Sequence, residues 1–135
     1  MVETINNSMQ IQVGWDNPQQ NIVHITMGRG WTWDELQDAI QSADDLIISV
    51  PQVVHLVIDI REAGGVPRDW MTRAGQLFAQ GEARANEGQK FIVGAGMLIR
   101  AAYQAYAAVY GQERPFQFAA TVEAAREMIA GREKA

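Results

Sequence analysis

The chain has no cysteine, only two histidines and four prolines, and fewer bases than acids. Without thiols it can form no disulfide framework, thiol nucleophile or thiolate metal site, a composition that suits a reducing, cytoplasmic setting. Lys and Arg number 11 against 16 Asp and Glu, for a formal charge of −5. That lacks the basic excess needed to neutralise nucleic-acid phosphates, or to hold an anionic bilayer surface. No apolar run approaches the ~20 residues of a membrane span. Residues 1–10 lack the basic and apolar regions of a signal peptide. No linker, low-complexity tract or repeat interrupts the 135 residues, so one soluble domain spanning 1–135 is expected.

What is present is a strongly patterned α/β sequence. Residues 53–59, Val-Val-His-Leu-Val-Ile-Asp, are β-branched and apolar, and a turn with Gly64 and Gly65 follows. Such a run reads as a strand buried on both faces at the sheet centre. Residues 1–9 read as a loose lead-in. Residues 11–15 and 22–27 read as an antiparallel hairpin, with 11–15 at the sheet edge. Thr32 and Glu35 form a capping box for a helix whose inner stripe is Trp33, Leu36, Ile40, Ala43 and Ile47, stopped by Pro51. The next helix spans about 69–84, then come a strand at 90–93, a helix at 97–110 and a strand at 115–119. Thr121 caps a last helix to about Ala130, with Val122, Ala125, Met128 and Ile129 inward and Arg126 toward its negative end. The expected fold is therefore a mostly parallel five-stranded sheet with an N-terminal antiparallel hairpin and four helices. Its strand–helix–strand crossovers are right-handed.

Three places carry a family resemblance. They are the strand Leu56-Val57-Ile58-Asp59 before a loop and helix, the late strand Phe91-Ile92-Val93 before a helix, and the ending from Arg114 to Ala125. Together they resemble the STAS and SpoIIAA-like superfamily, which includes anti-anti-sigma factors and a SEC14-associated branch. The resemblance covers roughly residues 11–129. It implies a SpoIIAA-like fold and a non-catalytic regulatory or protein-interaction role. In anti-anti-sigma factors a phosphorylatable serine opens the helix after the central strand. The corresponding place here falls near Arg68 and Asp69, and the nearest hydroxyl, Thr72, lies inside the expected helix. The chain therefore departs from the family's phosphorylation switch.

Loops at the carboxyl ends of parallel strands share one rim, where ligands favour binding. That rim gathers Arg29, Trp31, Trp33, Arg61, Arg68, Trp70, Met97 and Arg100. Arginine with tryptophan enriches interface hot spots, and the same set could line a pocket for a small amphipathic or lipid-like ligand. The competing account is that the tryptophans close the core ends while the arginines pair with Asp34, Asp59, Glu62 and Asp69. A protein partner is the first expectation and a carrier or sensor the alternative, with no cofactor and no metal. Gly94-Ala95-Gly96 reads as a tight strand-to-helix turn, since Ile99 stands where a dinucleotide motif needs its third glycine. His55 and Asp59 share a strand face and could be drawn as a metal site, but the sequence has no ligand-spaced cluster, so packed or surface histidines are expected. Ser8, Ser42 and Ser49 sit in no nucleophile elbow. The edge strand 11–15 with Tyr103, Tyr106 and Tyr110 could support a homodimer.

Overall fold

The computed structural model describes residues 4–7, 10–64, 86–110 and 116–133. Within them are strands β1 (Thr4–Asn7), β2 (Ile11–Trp15) and β3 (Ile22–Met27), helix α1 (Trp33–Ile48), and strands β4 (Val54–Asp59) and β5 (Glu87–Val93). Helix α2 (Met97–Tyr110), strand β6 (Phe116–Ala119) and helix α3 (Val122–Glu133) complete the order. The strands form one mixed sheet in the order β1-β2-β3-β4-β5-β6. β1–β2 and β2–β3 pair antiparallel, and the pairs from β3 to β6 are parallel.

β4 lies at the centre because its side chains satisfy both faces. Val54 and Leu56 enter a core with Ile11, Val13, Val23, Ile25 and Met27 beneath α1. Val57 enters a second core with Ile22, Phe91, Val93, Val122, Ala125 and Ile129 beneath α3. Alternation along each strand sorts residues between these two layers. Val53 stays exposed and precedes the strand.

α1 starts as its sequence dictates. Thr32 Oγ1 accepts from the Glu35 amide at 3.1 Å, and Glu35 Oε1 accepts from the Thr32 amide at 3.1 Å. Its buried line is Leu36, Ala39, Ala43 and Ile47, with Trp33 and Ile40 at the margins. Ala39 is fully buried, while Ile40 is only partly buried. The helix ends at Ile48, two residues before Pro51 is reached. Asn86 Nδ2 then donates to the carbonyls of Ile47, Val50 and Gln52, tying the helix end to the start of β5.

Several expectations change. The lead-in contains a strand, so the sheet has six strands rather than five, and β1 displaces Ile11–Trp15 from the edge. Four residues with a single apolar side chain, Ile5, give no periodic signal, but the open amides and carbonyls of β2 give them a template. β5 begins at Glu87, three residues early, and α3 runs on to Glu133. Met128 is 37% exposed rather than inward, because Ile129 fills that turn's core position. Tyr103 is buried, and its hydroxyl accepts from the Phe116 amide at 2.7 Å. Neither β2 nor Tyr103 therefore offers the dimer surface expected of it. Three helices are described, and the helix expected at 69–84 lies outside the described residues. No helix among the described residues is long and apolar enough to cross a membrane.

Candidate functional site

The parallel register aligns Thr26, Asp59, Val93 and Ala119 at one edge of the sheet. The loops leaving it are stitched together by backbone bonds. Ile60 N donates to Val93 O at 3.0 Å, and Gly94 N donates to Ala119 O at 3.0 Å.

Two arginines cross from one loop to the next. Arg29, after β3, lies over Gly64, where a Cβ would stand 3.3 Å from Arg29 Cγ. Arg61, after β4, lies over Gly94, where a Cβ would stand 3.3 Å from Arg61 Cα and collide with the side chain. Both glycines also hold positive φ, +79° and +86°. The turn and the close approach thus require glycine for separate reasons.

Arg61 is clasped by Asp59. Its Nε donates to Oδ1 at 3.0 Å and its Nη2 to Oδ2 at 2.8 Å, while its amide donates to Oδ1 at 3.0 Å. Burial of Asp59 favours the neutral acid and is the largest single influence. The Arg61 bonds together outweigh it and hold the carboxyl below its usual range.

The remaining rim residues divide. Trp31 and Trp33 meet edge to face, with centroids 4.8 Å apart, and pack on the margin of the α1 core. They are half-buried core ends as well as rim. Arg100 donates from Nε to Ala95 O at 3.1 Å and stacks over Phe118, 5.2 Å from its centroid. Phe118 faces opposite to Ala119, so Arg100 leans onto the face away from α3, whereas Asp59 holds Arg61 on the α3 side. Met97 is 88% exposed at the start of α2. Arg68 and Trp70 lie outside the described residues. Gly94-Ala95-Gly96 forms the expected turn, with Ala95 buried.

A second polar group gathers on the α3 side, and sequence reasoning missed it. Asp16, in the turn after β2, accepts from Arg126 Nε at 2.8 Å and Nη2 at 2.6 Å. Asp16 Oδ1 also lies 3.4 Å from His24 Nδ1, and Thr26 Oγ1 lies 3.4 Å from His24 Nε2. The Arg126 hydrogen bonds lower the Asp16 pKa despite its burial. Burial lowers that of His24, against the pull of Asp16 and Asp59. The Asp16–Arg126 pair spans 110 positions. In sequence Arg126 fits a helix-end cation and Asp16 a turn residue, so no local signal joins them.

His55 plays a different part. It is buried, and its Nδ1 accepts from the Gln89 amide at 2.9 Å. Asp59 on the same strand face is held by Arg61. Among the described residues no three His, Asp or Glu side chains gather as a metal site. No protein-family model, curated protein or solved structure matches the chain.

Proposed function

We propose that the chain is a non-catalytic regulatory or protein-interaction domain of the STAS, SpoIIAA-like kind, working through the loops at the carboxyl edge of its sheet and lacking the phosphoacceptor serine. The observation that carries this reading is the interlocking of those loops, Arg29 over Gly64 and Arg61 over Gly94. It presents exposed guanidinium groups on a rigid base, beside the Trp31–Trp33 pair. Arginine and tryptophan on a preorganised surface suit a protein partner, because little ordering entropy is lost on binding.

The test is affinity capture with the immobilised chain and with an Arg29→Glu, Trp31→Ala variant, compared by quantitative mass spectrometry. A partner retained by the parent and lost by a variant of unchanged circular dichroism supports the reading. An identical set of captured proteins counts against this surface.

Met97, exposed beside the same loops, favours a second reading, a carrier or sensor for a small amphipathic or lipid-like ligand. Native mass spectrometry of freshly purified protein separates the two. A co-purifying small mass supports the carrier.

A further inference from the structure

On its second face the sheet carries a polar strip that meets the rim at Arg61. α3 covers β4 to β6 there and leaves Gln12, His24 and Thr26 on the floor. Gly14 pairs with His24 across the ladder, so no β2 side chain stands beside the imidazole.

Charge on this face is graded by exposure. Asp16 and Asp59 lie beneath, their side chains 5% and 9% exposed. Above them lie Arg126 and Arg61, 44% and 43% exposed, and His24 at 22%. Each carboxylate holds its arginine through Nε and Nη2, which leaves the Nη1 side of each guanidinium turned away from its clamp. A planar fork held in this way keeps a second edge for a bidentate acceptor. Glu123, 71% exposed, is one carboxylate of this outer layer, and the exposed Glu62 beside Arg61 is another. Glu123 Oε1 stands 3.9 Å from Arg126 Nη1, and its charge also acts on Arg61. The chain thus rests one of its own carboxylates against the outward cations.

We propose that Arg61, Arg126 and His24 form a seat for a phosphate-type oxyanion on the second face of the sheet, with Glu123 as its built-in competitor. The nearest charges an arriving anion meets are the guanidiniums, because Coulomb energy falls with distance and the carboxylates lie deeper. His24 makes the seat pH-dependent. Asp16 faces it from the turn after β2, Asp59 from β4, Arg126 from α3 and Thr26 from its own strand. Burial keeps the ring neutral near neutral pH, and a bound anion favours its protonation. Affinity therefore rises as pH falls below the ordinary histidine value toward the lower one that burial sets. This site requires neither Arg29, nor the tryptophans, nor a protein partner, and only Arg61 is shared with the rim.

The probe is inorganic sulfate, which stays dianionic across the range, titrated into the full chain and followed by arginine Nε and histidine ring resonances. Shifts at Arg61, Arg126 and His24, tighter at about pH 6 than at about pH 8, are expected. Glu123→Gln should tighten binding about threefold, because it removes one exposed like charge. Arg126→Gln should weaken it about tenfold, the scale of one charged hydrogen bond. Lys90→Gln, a cation on the opposite face of the sheet over Phe116, should leave sulfate binding unchanged. Should Arg126→Gln fail to fold with Asp16 stranded, the exposed Glu123→Gln variant still carries the test of sign. Co-flotation with phosphatidate-containing vesicles that depends on Arg126 assigns the oxyanion to a lipid headgroup, and sulfate binding without flotation assigns it to a soluble phosphate compound. Absence of shifts at these three residues near pH 6, or unchanged affinity in Glu123→Gln, overturns the proposal.

Discussion

At Gly88 the spare space of one hydrogen is what lets His55 sit in the sheet. A Cβ there would stand 2.7 Å from His55 Cε1 and 2.9 Å from Val53 Cγ1. The ring has little freedom to retreat, because its Nδ1 accepts from the neighbouring Gln89 amide. Gly88→Ala should therefore behave as an overpacked site and lose about 1–3 kcal/mol, read as a lower urea midpoint at unchanged slope. A variant as stable as the parent would show that β5 can slide away from β4 at low cost. The pattern around Gly88 also shows where local reading stops. Asn86-Glu87-Gly88-Gln89 looks like turn chemistry by residue type. Its pairing with Val54 and its bonds to the end of α1 come from positions more than 30 residues away.

Among the elements, those with strong local signals were legible. α1 could be located from Thr32, Glu35 and the three- and four-residue apolar steps, since the capping box and the stripe are both short-range physics. Thr32→Ala removes the hydroxyl that accepts from the Glu35 amide and should cost about 1 kcal/mol. A denaturation curve would detect that loss, because the exposed cap site leaves the core packing unchanged. β4 was legible from its run of β-branched residues between amphipathic segments. β1 was not, because a four-residue strand with one apolar side chain exists only through its neighbour. Likewise β6 depends on a remote group. Tyr103, from α2, accepts from the Phe116 amide and meets both Phe116 and Phe118 edge to face. Tyr103→Phe keeps the rings and deletes that hydrogen bond, so about 1 kcal/mol should be lost. Amide exchange at Phe116 should quicken, and protection equal to the parent's would mean the hydroxyl is dispensable. The rim loops followed from the parallel order, so Arg29 and Arg61 could be assigned to one edge from sequence. The Asp16–His24–Arg126 group could not, since its members lie on a turn, a strand and a helix at opposite ends of the chain.

For the whole molecule, these buried charges set how stability responds to acid. Asp16 and Asp59 both have carboxyl pKa values below the ordinary 3.8. A depressed carboxyl stabilises the fold above its unfolded pKa, and that contribution disappears as pH falls through the folded value. His24 acts in the same direction by a different route. Its folded pKa lies below 6.5, so between that value and 6.5 the unfolded chain binds more protons than the native one. Stability should therefore decline in two stages on acidification, first below about pH 6.5 and again below about pH 4. Among the described residues the first stage draws on His24 and the second on Asp16 and Asp59. His24→Gln should flatten the upper stage and leave the lower one, in urea midpoints collected across the pH range at fixed ionic strength. An upper stage that persists in His24→Gln would assign that proton uptake elsewhere. Bound oxyanion should oppose the upper stage, because it favours the protonated ring, so sulfate should protect the parent more near pH 6 than near pH 8 and protect His24→Gln alike at both. Stability and ligand linkage then report on the same imidazole, one by what burial costs its charge and the other by what an anion returns.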